Sequence, residues 1–460
     1  MAKRFAVRQL VKLMCLGGIF CASSSALASA FQIWEQDGAS VGNYHAGRAA
    51  IANDATTAYY NPAGILRIPN QQIVVSDVGI LTDIRYRGTV GVSTNITGAG
   101  IFPVGPPTNV TAQGGTFSQA PDLHYVAPIN NYVGFGLSIV APFGLRTDYG
   151  RTNAASFAAN LSSLQVVDLT PSFGIKVYRG LSLGAGLDAE RMSAELSQVG
   201  TIGTGTNSDA YNKGWSTAYG FHLGAMYQLM PSTRFGLTYN SQVVHHLRGT
   251  SRLVGPIANL ANGVPLGTPT SITSRTANVH LTLPPFTTLS AFHQINERWA
   301  VMGTAIYTQW SVFQNLTLKN AAAANAIITP FGPLPVPSTT TVINVPEHYR
   351  NTWNVSVGAD FYANEKMTLR GGVGYDQSPV RSTYRDLRVP DNNRVAIALG
   401  GHFQAAKTLG VDLGWTHLFM VGTTTVNPPP LATGAQIVAV NGKVNASADV
   451  FGAQLTWDIV

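Results

Sequence analysis

Apolar and polar side chains alternate along several stretches of this chain. In 131–140 every second residue is large and apolar, and the residues between are mostly glycine, serine or polar. The same period of two recurs, with few interruptions, in 395–403, 411–419 and 451–459. Because successive side chains of a β-strand point to opposite faces, this period predicts strands with one apolar face. A soluble sheet with one wetted face would alternate in the same way, so the pattern alone does not place the apolar face in lipid.

The connections between these stretches add a constraint. Tight turns at 129–130, 179–180, 231–232, 296–297, 364–365 and 405–406 alternate with long loops rich in Gly, Thr, Asn and Pro. Outer-membrane barrels have short periplasmic turns, longer external loops and an even number of strands. We therefore predict an all-β membrane protein, an antiparallel barrel of about 14 strands with both ends on the periplasmic side. The predicted strands lie near 72–81, 117–128, 131–141, 164–177, 181–191, 214–229, 234–245, 277–292, 298–312, 349–362, 366–375, 393–403, 409–420 and 445–459.

Residues 31–71 lack this alternation. The segment is rich in Ala and Asn and contains short helical stretches, yet it also carries apolar side chains such as Phe31 and Trp34. A solvated tail would expose these apolar side chains to water, so their presence indicates that the segment is packed. A barrel of this size has a lumen wide enough to conduct unless it is filled. We therefore predict that 31–71 is a hatch, a plug in the lumen of a barrel formed by 72–460.

The first 30 residues have the features of a secretory signal peptide. Four basic residues precede a short apolar core, and 28–30 provides small residues for cleavage. A lipoprotein signal is the alternative, but neither Cys15 nor Cys21 follows a suitable tripeptide. Cleavage after Ala30 removes both cysteines and leaves 25 basic against 22 acidic residues, a net charge of +3. This balance gives no reason to expect a nucleic-acid partner.

Composition favours a membrane location over the main rival, a large secreted β-sandwich or solenoid. Charged residues make up 11% of the chain, against roughly 25% in soluble domains. After residue 30, no apolar run approaches the roughly 20 residues of a spanning helix. Low charge without such a helix is typical of a membrane barrel, where only alternate residues need be apolar.

Catalytic and metal-binding motifs are not apparent. The histidines are scattered, no Gly-x-Ser-x-Gly elbow occurs, and no cysteine remains after cleavage. We predict neither an enzyme, nor a metal site, nor a cofactor.

Ten short blocks resemble one family in order along the chain, the FadL-type outer-membrane transporters of long-chain fatty acids and other hydrophobic compounds. Asn61, Pro62, Ala63 and Gly64 resemble the hatch motif of that family, and Ala141, Pro142, Phe143 and Gly144 match the position where its third strand is kinked. The blocks are 46–49, 53–55, 61–64, 122–130, 141–145, 283–284, 310–311, 352–353, 374–380 and 389–394.

The resemblance implies a lateral opening in the barrel wall at these four residues, 141–144. Proline cannot donate to a sheet ladder, so a break there would leave unpaired backbone beside lipid. The alternative is a proline that simply ends the strand.

The resemblance also implies two lumenal cations for a ligand carboxylate, on the fifth and ninth strands. The family positions hold Ser193 and Thr317 here, and Arg191 and Lys319 lie two residues away, which in a strand keeps the same face. We take Arg191 and Lys319 as candidates; a surface arginine and a loop lysine are the alternative.

These observations predict passive uptake of long-chain fatty acids or similar hydrophobic compounds across the bacterial outer membrane. The ligand would enter an apolar pocket near Phe31, and a hatch rearrangement would release it sideways at Pro142. Expected partners are this ligand, outer-membrane lipid and lipopolysaccharide, and the protein is expected to be a monomer. A structural or adhesive barrel with a closed hatch and a general porin are the alternatives.

Overall fold

The chain forms one closed antiparallel barrel. The computed structural model describes residues 30–96, 100–201, 207–329 and 332–459, so residues 1–29 of the predicted signal peptide lie outside the described residues. Gln71 to Thr94 pair with Ile459 to Gln436, which joins the first strand to the last and closes the barrel. The strands are β1 (Gln71–Ile96), β2 (Gly100–Pro103), β3 (Thr108–Gln113), β4 (Phe117–Pro128), β5 (Val133–Val140), β6 (Gly144–Asp148), β7 (Leu161–Tyr178), β8 (Leu181–Thr201), β9 (Asn207–Met230), β10 (Thr233–Asn240), β11 (Val243–Val254), β12 (Ser271–Leu283), β13 (Phe286–Gln294), β14 (Trp299–Thr308), β15 (Asn315–Thr329), β16 (Gly332–Pro346), β17 (Thr352–Asn364), β18 (Met367–Asp376), β19 (Arg394–Ala406), β20 (Leu409–Met420), β21 (Thr424–Val426), β22 (Leu431–Thr433) and β23 (Gln436–Ile459).

These segments make 14 crossings of the wall, which confirms the predicted fold. Several crossings are interrupted: β5 and β6 form the third, β10 and β11 the seventh, β12 and β13 the eighth, β14 and β15 the ninth, and β16 and β17 the tenth. The six predicted short turns are found, the last displaced by two residues to Lys407 and Thr408.

The outer face of the wall is apolar. Large side chains such as Leu187, Val357 and Leu413 are more than 60% exposed there, which would be unfavourable in water and is suited to lipid. Two aromatic pairs on β14 and β17 mark the height of this face. Trp299 packs on Phe361 (ring centroids 4.8 Å apart) and Tyr307 on Trp353 (4.9 Å), eight residues or about 26 Å further along the strand.

Residues 30–67 lie inside the barrel. They form α1 (Gly38–Val41), α2 (Arg48–Ile51), α3 (Thr57–Tyr60) and a 3₁₀ helix (Pro62–Arg67), and almost all of their side chains are buried. None of the helices in the described ranges is long and apolar enough to cross a membrane.

Small residues on the inner face let this segment approach the wall closely. A Cβ atom at Gly236 or Gly174 would collide with a backbone carbonyl of the hatch. The wall also bonds the hatch backbone: Arg234 donates to the carbonyl oxygens of Ala50 (2.6 Å) and Ile51 (2.7 Å). The alternating small and polar face seen in the sequence is therefore the face that holds the hatch.

Candidate functional site

The motif Asn61-Pro62-Ala63-Gly64 anchors the hatch to the wall. Asn61 caps the 3₁₀ helix, because its Oδ1 accepts from the Ala63 N–H (3.1 Å), and Pro62 occupies the first helical position. The Asn61 Nδ2 donates to the carbonyl of Ala49 (2.6 Å) within the hatch and to that of Ala225 (3.1 Å) on β9. The motif thus ties two parts of the hatch to one strand of the wall.

Above the hatch lies an apolar cavity whose free volume is about 100 Å³. Phe31, the predicted pocket residue, forms part of its lining. Its ring contacts Trp310 (centroids 4.8 Å apart) and Phe313 (5.9 Å). The other apolar residues of the lining come from six strands and two loops: Leu145, Leu164, Ala194, Leu196, Leu247, Ala277, Val279, Leu281, Leu316, Leu318, Tyr349 and Val389.

The structure does not bring Arg191 and Lys319 to this cavity, so that prediction is corrected. On β8 the buried Met192 faces inward and the exposed Arg191 faces outward, where it donates to Thr217 Oγ1 (3.1 Å). On β15 Leu318 lines the cavity, and the next residue, Lys319, is exposed on the opposite face. Arg191 and Lys319 do share a face with the family positions Ser193 and Thr317, but in this chain that face is the outer one.

A cation that the sequence analysis did not single out lies beside the cavity instead. Arg388, in the long connection between β18 and β19, is 8% exposed and belongs to the cavity lining. Its guanidinium donates to Ser162 Oγ (3.1 Å) and to the carbonyl of Ala158 (3.2 Å). Among the described residues no carboxylate oxygen lies within 4 Å of it, although Glu347 also lines the cavity. The available sequence signal was its position one residue before the 389–394 block.

The third crossing of the wall is broken at the predicted position. β4 pairs with β5 from Leu123 to Pro128, but in the described part of the chain it forms no ladder with β6, which pairs only with β7. Ala141, Pro142 and Phe143 lie between β5 and β6, and all three are buried. The break leaves a gap in the wall between β4 and β6.

Residues 31–36, here called the latch segment, cover this gap from inside. The Ile33 N–H donates to the Pro142 carbonyl (2.9 Å), and the Gly144 N–H donates to the Phe31 carbonyl (2.8 Å). These two bonds flank an antiparallel bridge between Gln32 and Phe143. The latch segment therefore takes the place of a neighbouring strand.

The side chain of Gln36 completes the cover. Its Oε1 accepts from the Ala141 N–H (2.9 Å) and its Nε2 donates to the Ala141 carbonyl (3.0 Å). The Gln36 carbonyl in turn hydrogen-bonds His124 Nε2 (2.9 Å) on β4. One amide side chain thus satisfies both backbone groups of a residue at the break.

The start of the described chain is also held. The Ala30 N–H donates to Asp391 Oδ2 (2.9 Å), and that oxygen also accepts from Ser378 Oγ (2.6 Å). Asp391 forms an ion pair with Arg394, the first residue of β19. Cleavage after Ala30 would remove this bond, so the latch segment of the mature chain is held through Phe31, Ile33 and Gln36.

A closed barrel with an internal hatch, an apolar lumenal cavity and a covered break in its wall defines a class of protein, the outer-membrane transporters of hydrophobic compounds. A family model described as outer membrane protein transport protein (OMPP1/FadL/TodX) matches residues 19–459, and the chain belongs to that family. The predictions of this family, of an outer-membrane location and of a transport protein rather than an enzyme are confirmed.

Individual relatives agree with this assignment. The long-chain fatty acid transport protein of Salmonella typhi is 26% identical over 415 residues, which are 86% of this chain and 88% of the relative. Outer membrane protein P1 of Haemophilus influenzae is 28% identical over 430 residues, 86% and 87% of the two chains. The crystal structure of a Pseudomonas aeruginosa FadL homologue superposes with a TM-score of 0.76 at 26% identity, covering 93% of this chain and 99% of the homologue. The toluene transporter TodX of Pseudomonas putida shares the fold, with a TM-score of 0.62 at 18% identity over 94% of this chain and all of that one.

Proposed function

We propose that this chain carries long-chain fatty acids passively across the outer membrane, from the lumenal cavity sideways into the membrane through the gap at Pro142. The observation that supports this most directly is the position of the latch segment. At Phe31 it lines the cavity, and at Gln36 it covers the gap. One short stretch of chain therefore contacts both the binding place and the exit.

The volume of the cavity supports a coupling between the two. A free volume of about 100 Å³ is small for a long alkyl chain, since ligand pockets usually measure about 300–1,000 Å³. The Phe31 ring fills part of the same apolar space. A ligand would have to displace Phe31, and this movement would strain the Gly144–Phe31 bond and the bridge at Gln32 that follow it along the chain.

Sideways release is also favoured by solvation. An alkyl chain that left through the periplasmic end would pass the charged side chains under the hatch, among them Arg370, Asp360 and Asp412. Each buried methylene group exposed to water costs about 0.8 kcal/mol. A route through the wall leads from the apolar cavity directly to lipid.

The buried Arg388 supports an acidic ligand over a neutral one. A guanidinium that is desolvated and held by neutral oxygens can exchange one of these for a carboxylate, and Arg pairs with a carboxylate through two parallel bonds. The relative from Salmonella typhi is a long-chain fatty acid transport protein, whereas the toluene transporter TodX resembles this chain only in fold.

A reversible lock tests the lateral route. Gln32 and Phe143 form a non-hydrogen-bonded antiparallel pair, for which Cα atoms are about 4.5 Å apart and a disulfide is feasible. In the double variant Gln32→Cys/Phe143→Cys, oxidation should abolish uptake of radiolabelled oleate by cells, and a reductant should restore it. Each single-cysteine variant controls for oxidation and for the loss of the side chain.

Two other outcomes would contradict the proposal. Equal uptake in the oxidised and reduced double variant would show that the ligand leaves elsewhere. Absence of oleate uptake by the unmodified chain, with a lumen that stays closed, would favour a structural or adhesive barrel.

A further inference from the structure

Five cations lie exposed on the outer face of the wall, close to one another on neighbouring strands. Lys319, first expected in the lumen, is one of them. The other four come from β9, β11 and β12, and we name the five the basic wall patch: Lys213, Arg248, Arg252, Arg275 and Lys319.

The ladders fix the arrangement of the patch. Arg248 lies opposite Trp215 of β9 on one side and opposite Asn278 of β12 on the other, and Asn278 lies opposite Lys319 of β15. Since neighbouring strands are about 4.8 Å apart, Arg248 and Lys319 are about 10 Å apart at the backbone. Lys213 is two residues from Trp215 on the same face. Arg252 and Arg275 lie closer to the external loops, on β11 and β12. Their long side chains can therefore reach a common ligand.

The charge of the patch is poorly compensated. Glu195 Oε2 lies 3.4 Å from Lys213 Nζ. Within the described ranges no carboxylate oxygen lies within 4.0 Å of the other four cations. Elsewhere on the outer face, by contrast, Arg85 pairs with Asp83 (2.9 Å) on β1. A smaller basic pair, Arg87 opposite Lys443 on β1 and β23, is also exposed, so the five-residue patch is the larger of these two basic clusters.

The height of the patch is given by the side chains below it. From Lys213 toward the periplasmic turn, the outward residues of β9 are Trp215 (48% exposed), Thr217, Tyr219 (76% exposed) and then apolar side chains such as Leu223. Aromatic residues with a polar edge mark the boundary between the apolar belt and the head groups. The patch begins at this boundary on the external side, at the level of the outer-leaflet head groups.

We propose that the basic wall patch binds the phosphate groups of lipopolysaccharide. The glucosamine phosphates of this lipid lie at the level of the patch and provide several negative charges on one rigid head group. Arginine forks bind phosphate oxygens through paired, charge-assisted bonds. A free anion would be weakly held on such an exposed surface because salt screens it, whereas the lipid is presented there at high local concentration.

The test compares purified protein in detergent with the triple variant R248Q/R252Q/R275Q, using Kdo₂-lipid A as the probe. The unmodified protein should bind it with an affinity that falls as salt rises, and the variant should bind it on the order of tenfold or more weakly, because several charge-assisted contacts to one anion are lost. Anomalous migration of unboiled samples on gels, lost on boiling, would show that the variant barrel is folded. The double variant R85Q/R87Q on β1 is the matched control and should bind like the unmodified protein.

Three results would overturn the inference. The first is equal binding by the triple variant and the unmodified protein. The second is equal binding of Kdo₂-lipid A that has lost both phosphates, which would point to the Kdo carboxylates or the acyl chains instead. The third is equally tight binding of phosphatidylglycerol, because the patch would then recognise a general lipid phosphate.

Discussion

At the scale of single residues, Arg388 offers the sharpest test of ligand class. Replacing it with Gln keeps the bonds to Ser162 and Ala158 possible and removes the charge. Binding of oleate should weaken by about 1.5–3 kcal/mol, the value of a hydrogen bond to a charged group, and binding of the alcohol of equal length should hardly change. Isothermal titration in detergent measures both. Arg191→Gln, on the outer face, is the matched control, and equal losses for acid and alcohol would make Arg388 structural.

Glu35 predicts a pH dependence of hatch closure. Burial, with a smaller contribution from Asp376, raises the pKa of this hatch carboxyl to about 7, although Arg394 opposes the shift. Because the pKa in the closed state lies above the ordinary value of 4.5, this group favours closure fully below pH 4.5 and loses that contribution as the pH rises through 7. The difference amounts to about 3 kcal/mol. Hatch opening, recorded as conductance in planar bilayers, should rise between pH 5 and 8, and Glu35→Gln should flatten the profile.

The misplacement of Arg191 and Lys319 has a physical cause. In most of the wall the large apolar side chains point outward to lipid, because the inner face packs against the hatch with small and polar residues. Around the cavity the inner face is also apolar, with Met192 and Leu318 inside and Leu187 outside. There, apolar residues occur on both faces of the wall. The sequence therefore could not show which face of the strand points into the lumen. The break was predictable from Pro142, which cannot donate to a sheet ladder, whereas the hatch motif came only from the resemblance to the FadL family.

At the scale of elements, the latch segment takes the place of a strand, and at its end the side chain of Gln36 bonds the backbone of Ala141. Gln36→Ala would leave the N–H and the carbonyl of Ala141 without their partner, at a cost of about 1–3 kcal/mol for each buried group. Hydrogen exchange at Ala141 and Gly144, followed by mass spectrometry, should become faster, while exchange in β7 stays slow. Gln36→Glu keeps an acceptor and loses the donor, so its effect should be intermediate. Unchanged exchange in Gln36→Ala would show that Gln36 does not hold the break closed.

The strands themselves were predictable only where they cross the membrane. The sequence placed the first strand at 72–81, but β1 continues to Ile96, because its outer half carries polar residues on its outward face and rises above the lipid. The interruptions between β10 and β11 and between β14 and β15 were also missed. Short irregular stretches leave the alternation on either side intact, so periodicity alone does not reveal them.

At the scale of the whole molecule, the wall and the hatch differ in what holds them. The wall closes through the long ladder of β1 with β23, and none of that ladder passes through the hatch. The hatch is held by packing against small inward residues and by bonds such as those from Arg234 and Asn61. The closed barrel can therefore lose its hatch without exposing the unpaired backbone of a strand edge.

This difference predicts the outcome of removing the hatch. A variant lacking residues 31–67 should still fold, with a far-UV circular dichroism spectrum dominated by β-structure and anomalous migration of unboiled samples on gels that is lost on boiling. Its lumen would then expose the polar inner face, including Arg370, Asp412 and Asp360, and would fill with water. Conductance to small ions in planar bilayers should rise well above that of the full chain. The oxidised Gln32→Cys/Phe143→Cys variant, whose latch segment is fixed, should stay at the low level of the full chain. If the deletion variant folds and conducts no better than that locked variant, residues 31–67 do not block the lumen, and the external loops must close it instead.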